Sequence, residues 1–261
     1  MSAVTLKDEL VHYEVFGRGP ALILIHGWLG SWRYWIPTMQ QLSASYRTYA
    51  LDLWGFGDSG KRPSLYQFEQ QVGLVRQFME SLGITKAAFV GHALGAAVSL
   101  RFAVENPNLT ARLMTVSLPL VGDSGLIQRV TSTSPSAWLE RLVDKNRPDY
   151  QAINEEATKA DPEALRVSAE ALSIQDWRPA LSNLKTPYVL AHGEQDPLVN
   201  VPEDSLLNGL NSNIHRVLLN DSRHFPMLDE AATFNRLLAD FLGAEDVSQL
   251  QLKKHWVRRV R

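Results

Sequence analysis

The sequence predicts an α/β protein: a mostly parallel, doubly wound sheet carrying an inserted group of helices. Three observations lead there. Short apolar runs rich in Val, Ile and Leu recur along the chain, segments of helical periodicity separate them, and one long interval contains no strand-like run at all.

Taken in order, the apolar runs are "ALILIHG" (21–27), "YRTYALDLWG" (46–55), "KAAFVGH" (86–92), "ARLMTVSLPL" (111–120), "PYVLAHG" (187–193) and "HRVLLN" (215–220). Each is continuous rather than alternating, the pattern of a strand covered on both faces. Between the second and third runs, "YQFEQQVGLVRQFMESLG" (66–83) places Phe68, Val72, Val75, Phe78, Met79 and Leu82 on one side of a helix. Strands alternating with helices imply right-handed crossovers and parallel pairing. From Val121 to Asp176 the alternation stops. There "SPSAWLERLVDKN", "PDYQAINEEATKA" and "DPEALRVSAEALSI" each read as a short helix opened by a Ser-Pro, Pro-Asp or Asp-Pro signal. The expected organisation is therefore a core of residues 1–120 and 177–242, a helical cap at 121–176 and a basic C-terminal tail at 243–261.

Composition narrows the function classes. Hydrophobic residues make up 45% and charged residues 21% of the 261, ordinary values for a globular chain, and the formal net charge of −2 gives no pull toward nucleic acid. The absence of cysteine removes disulfides, thiolate nucleophiles and cysteine metal sites. No apolar run approaches the ~20 residues of a membrane span and no leader pattern opens the chain, so a cytoplasmic protein without an integral membrane segment is expected. Charge is uneven at one end: Lys253, Lys254, Arg258, Arg259 and Arg261 leave the rest of the chain at about −7. Such a tail docks on its own acidic body or contacts an anionic surface.

Parallel sheets open ligand crevices at the carboxyl ends of their strands. His26 and Gly27 follow the first run, Ala93 the third, Asp196 the fifth and His224 the sixth. The turn "GHALG" (91–95) has small residues at both ends, which permit a close backbone approach. Asp123, after the fourth run, is a rival to Asp196 as the acid. His26, His92 and His192 read as loop-holding residues, and Trp28, Trp32, Trp35 and Trp54 as walls of the cleft and core.

The order of elbow, acid and histidine on successive strand ends resembles the α/β-hydrolase superfamily from Tyr13 to about Leu242. "HGWLGS" (26–31) resembles its oxyanion loop, "DLWGFGDSG" (52–60) its structural turn, "HGEQDPLV" (192–199) its acid loop, and "SRHFPMLDEAATFNRLLADFL" (222–242) its histidine and last helix. The resemblance implies that Asp196 orients His224, that His224 moves protons to and from a nucleophile at position 93, and that the backbone N–H groups of Trp28 and Leu94 hold the oxyanion. It implies no metal or organic cofactor.

Position 93 departs from the family's pattern, because alanine stands where a nucleophile belongs. Members that use Asp there, such as epoxide hydrolases and haloalkane dehalogenases, place Trp next, whereas Leu94 follows here. Serine members commonly read "GHSLG", cysteine members are rarer, and an alanine native to the protein is the fourth state. With the rest of the cast retained, the alanine reads as a deliberate serine-to-alanine replacement in an esterase or lactonase of small, largely apolar acyl substrates. The alternatives are a natural pseudoenzyme that binds a small apolar ligand, and a carbon–carbon bond hydrolase, which more often has Trp where Phe225 follows the histidine. Leu126, Ile127, Trp138, Leu139 and Leu142 are the expected lining of an apolar pocket beneath the cap.

Overall fold

The computed structural model describes residues 2–207 and 214–250; the basic residues 253–261 lie outside them. The chain opens with strands β1 (Ser2–Leu6) and β2 (Glu9–Phe16), then β3 (Ala21–Ile25), a single 3-10 turn at Trp32–Trp35, helix α1 (Ile36–Leu42) and β4 (Arg47–Leu51). Helix α2 (Phe68–Ser81), β5 (Ala87–His92), α3 (Leu94–Glu105) and β6 (Thr110–Val116) follow. Next come α4 (Gly125–Thr131), α5 (Pro135–Leu142), α6 (Tyr150–Ala157), α7 (Pro162–Ser173) and α8 (Arg178–Ser182). The chain then runs through β7 (Tyr188–Gly193), α9 (Asp204–Leu207), β8 (Ile214–Leu219), α10 (Pro226–Asp229) and α11 (Ala231–Gly243).

The strands form one sheet in the order β1-β2-β4-β3-β5-β6-β7-β8. β1 and β2 are antiparallel to their neighbours, and every pair from β4 to β8 is parallel. The parallel strands are the apolar runs of the sequence, and β5 and β7 are buried at every position. From β3 the chain steps one way to β4, and from β5 it steps the other way to β6. Right-handed crossovers then put α1 and α3 on opposite faces. The crevice where the order reverses lies at the ends of β3 and β5.

The β1–β2 hairpin is absent from the sequence expectation, and its turn shows why. Lys7 and Asp8 both take left-handed φ values, 50° and 60°, without the glycine or asparagine that ordinarily marks a two-residue hairpin. The run "ARLMTVSLPL" also stops being strand earlier than its apolar character suggests. Ser117 turns to φ 51°, ending β6 at Val116.

Helices α4 to α7 fill the interval between β6 and the return to the core. Val121 pairs with Asp176 in an isolated antiparallel bridge, and Trp177 N–H donates to the Leu120 carbonyl, so the two ends of the interval lie side by side. Leu126, Trp138, Leu139 and Leu142 are buried, and Ile127 is partly so. Beyond α11, Val247 and Leu250 pack into the apolar core, so the chain stays with the body through residue 250. No helix among the described residues is long and apolar enough to cross a membrane.

Candidate active site

The turn after β5 puts Ala93 at φ 49° and ψ −108°, a conformation that L-residues rarely hold, at the N-terminus of α3. Its N–H donates to the Val116 carbonyl at 2.9 Å, which pins it to the end of β6. Two glycines make the turn sterically open. A Cβ on Gly91 would lie 2.2 Å from the Gly95 carbonyl oxygen, and one on Gly95 would lie 2.4 Å from the Ile25 carbonyl oxygen. The oxyanion-type loop comes equally close, since a Cβ on Gly27 would fall 2.8 Å from the Ala93 Cβ. Leu94 begins α3, so its N–H has no acceptor within the helix. Trp28 follows Gly27 directly and is fully buried.

His224 and Asp196 meet on the neighbouring loops. His224 Nδ1 lies 2.9 Å from Asp196 Oδ2 and 3.1 Å from Oδ1, and both side chains are fully buried. Asp196 Oδ1 also accepts the N–H groups of Leu198 and Val199. Burial alone raises a carboxyl pKa, but the charge and hydrogen bond of His224 and the backbone donors outweigh it. Asp196 is held well below the usual carboxylate range. A carboxylate only accepts, so Nδ1 of His224 carries a proton, and Nε2 is the nitrogen that presents a lone pair in the neutral ring. That Nε2 is buried without a hydrogen-bond partner among the described residues. A general base with its orienting acid in place is what this arrangement offers chemically.

Asp123 lies beside the acid loop but engages other partners. It is partly exposed, and its oxygens take Arg129 Nη2, the Gly125 N–H and Asn200 Nδ2.

The three histidines expected to hold loops, His26, His92 and His192, each bond a backbone carbonyl. His26 Nδ1–H donates to the Gly27 carbonyl while Nε2 accepts from Leu53 N–H, and burial lowers its pKa. His192 Nε2–H donates to the Leu118 carbonyl at 3.1 Å, and burial brings its pKa down to about 4. His92 Nε2–H donates to the His224 carbonyl at 2.8 Å. Burial and the nearby His224 push His92 well below the ordinary histidine value, so its Nδ1 is a neutral acceptor. It receives the Tyr34 hydroxyl at 2.9 Å, and that hydroxyl in turn accepts the Gly27 N–H at 2.7 Å.

Three features have no counterpart in the sequence expectation. Tyr34 joins the loop after β3 to the elbow. Asp52, inside "DLWGFGDSG", is a hub that accepts from the N–H groups of Trp32 and Asp58 and bonds His12 Nδ1 at 2.9 Å. Gln71 grips Trp54 by both its N–H and its carbonyl. Of these only Asp52 carries a local signal, the glycine-rich stretch that follows it. Trp28, Trp32, Trp35 and Trp54 are all buried, and the Trp28 indole N–H donates to Ser168 Oγ of α7 at 3.0 Å.

Residues 20–161 match the family model described as the alpha/beta hydrolase fold. The chain belongs to the α/β-hydrolase family. Similar members of that family are hydrolases by name. The chain is 29% identical, over 90% of its length and 97% of the relative's, to the "Putative carbamate hydrolase RutD" of Stutzerimonas stutzeri (strain A1501). It is 24% identical to the pimeloyl-[acyl-carrier protein] methyl ester esterase of Vibrio campbellii (strain ATCC BAA-1116), over 88% of this chain and 98% of that one. Among solved structures, the enol-lactonase of Burkholderia xenovorans LB400 shares this α/β-hydrolase fold with a TM-score of 0.81. Its identity is 21%, covering 93% of this chain and all of that one.

Proposed function

We propose that this α/β-hydrolase site is that of a serine hydrolase for carboxylic esters or lactones, inactivated by alanine standing at position 93 in place of the nucleophilic serine. The observation that carries the reading is His224, which is held on Nδ1 by the ionised Asp196 and left with a buried, unpartnered Nε2. With a serine at 93, His224 would take the hydroxyl proton as the oxygen attacks the substrate carbonyl. The N–H groups of Trp28 and Leu94 would hold the oxyanion, and His224 would return the proton to the leaving alcohol. Water activated by the same histidine would then release the acid. The strained backbone at Ala93 supports the reading. Alanine gains nothing from φ 49°, whereas a nucleophile needs that turn to stand clear of the sheet.

In this scheme α4 to α7 form a cap whose apolar residues, Leu126, Trp138, Leu139 and Leu142 among them, bound the acyl pocket. An esterase and an enol-lactonase among the similar proteins agree with that substrate class. The chain as it stands would bind ester or product acid and turn over at a very low rate.

The test is Ala93→Ser. The variant should hydrolyse short p-nitrophenyl esters or lactones and take an organophosphonate label, with both lost in a further His224→Ala change. A folded Ala93→Ser protein that neither hydrolyses a broad ester and lactone panel nor takes the label rejects the serine-hydrolase reading. That outcome favours a ligand-binding role for the native alanine.

A further inference from the structure

Three loops carry the proposed machinery, and each is hydrogen-bonded to a different helix of the insertion. On the loop after β3, the Trp28 indole N–H donates to Ser168 Oγ of α7 at 3.0 Å. Both residues are fully buried, and the Ser168 hydroxyl itself donates back to the Ala164 carbonyl, so it is oriented as an acceptor for the indole. On the acid loop, Arg129 Nε of α4 donates to the Leu198 carbonyl at 2.9 Å. Leu198 is the residue whose N–H donates to Asp196 Oδ1, so its peptide units are held by the acid on one side and by the insertion on the other. Asp123 braces that arginine through Nη2, and Asn200 of the same loop donates to Asp123. On the histidine loop, Arg223, immediately before His224, donates from Nη1 to the Arg141 carbonyl at the end of α5.

We infer that Ser168 and Arg129 are positioning residues: the insertion sets the oxyanion donor Trp28 and the acid Asp196 in place, so the site is assembled only while the insertion is docked. This rests on the serine-hydrolase reading for the roles of Trp28 and Asp196. It goes beyond that reading, because a cap serving as a roof for the acyl group has no need to hold the loops beneath it. It also gives Asp123 a function: bracing Arg129 against the acid loop. The chemical consequence is a cost placed on the transition state. A displaced Trp28 or Asp196 weakens interactions made as charge develops, whereas ground-state binding of an apolar acyl chain is retained.

The experiment has two arms. In the Ala93→Ser protein, Ser168→Ala and Arg129→Met should each lower kcat by about ten-fold or more while KM stays within about two-fold. Arg129→Lys, which keeps a donor near the Leu198 carbonyl, should recover part of the loss. Arg166→Ala, which removes two ion pairs from the exposed face of α7, should leave kcat unchanged and so controls for simple loosening of the helices. Changes in KM alone, or equal losses in the Arg166 control, overturn the inference.

The second arm uses the chain with Ala93 and needs no activity. The His224 Nδ1–H proton, bonded to a buried carboxylate, should give a far-downfield NMR signal that Arg129→Met shifts or broadens. The Trp28 indole N–H signal should move on Ser168→Ala. If Ala93→Ser proves inactive while these signals respond, the coupling stands and the hydrolase reading falls. Signals unmoved in folded variants reject the coupling itself.

Discussion

Tyr34 and His92 share a buried hydrogen bond of 2.9 Å that connects the loop after β3 to the elbow. Because His92 donates in turn to the His224 carbonyl, one neutral relay runs from the Gly27 N–H to the main chain of the proposed base. Burial drives the Tyr34 hydroxyl pKa well up and the His92 pKa well down, which fixes both as uncharged and sets the direction of every bond between them.

Tyr34→Phe should therefore leave the Gly27 N–H and the His92 Nδ1 without partners, at a cost of about 1–3 kcal/mol for each buried group left unsatisfied. Chemical denaturation of the variant measures the loss. In the Ala93→Ser background the same change should reduce kcat more than it raises KM, since Gly27 precedes the oxyanion donor. An unaltered denaturation midpoint would show the relay to be dispensable.

Two glycine-to-alanine changes should have opposite signs. At Gly95 the new methyl meets the Ile25 and His26 carbonyl oxygens at 2.4 and 2.5 Å, and backbone cannot step aside, so a loss of about 3 kcal/mol or more is expected. At Gly73, within α2, nothing lies within 4 Å of the added Cβ, and alanine should stabilise by about 0.5–1 kcal/mol. Paired thermal melts of the two variants decide both.

Stability should fall as the solution is acidified below about pH 6.5. His26, His92 and His192 all have pKa values lowered by burial. Below the unfolded histidine value of ~6.5 the unfolded chain therefore takes up protons that the native chain refuses. For His192, lowered to about 4, the loss accumulates to about 3 kcal/mol between pH 6.5 and 4. His12 works in the opposite direction, because Asp52 outweighs burial and raises its pKa. Its contribution is fully present below ~6.5 and fades as pH rises, which offsets part of the trend. Asp196, depressed, keeps its contribution until the pH drops below the unfolded carboxylate value of ~3.9. Urea unfolding at pH 8 and pH 5 should show the lower midpoint at pH 5, and His192→Gln should flatten the dependence.

Truncation should separate two parts of the C-terminal region. Removing residues 251–261 is expected to leave ligand binding unchanged. Removing residues 244–261 takes away Val247 and Leu250, which pack in the core, and should cost about 1.5–3 kcal/mol for each buried side chain. Binding of a short-chain carboxylate and a thermal melt on each truncation measure the difference.

The parallel strands were legible in the sequence because a strand covered on both faces is a continuous apolar run, and helices α5 to α7 were legible because each opens at a proline. For α6 that proline, Pro148, lies just ahead of the first turn. Asp196 and His224 stand out for a similar reason, since each follows such a run within a few residues. Tyr34 and Ser168 were hidden. Their roles arise from bonds spanning 58 and 140 residues, to His92 and Trp28, and no local pattern records such a contact. The β1–β2 hairpin was hidden differently, its turn made by Lys7 and Asp8 rather than by the residues that mark turns.

The bridge between Val121 and Asp176 brings the insertion back to its point of departure. Anything threaded between those two residues therefore imposes no displacement on β6 or β7, whose register is set by the pairing of Leu113 with Tyr188 through Val116 with Ala191. A graft joined at positions 121 and 176 would leave that register as it is, and to keep the bonds described above it would have to supply its own anchors for Trp28 and Leu198.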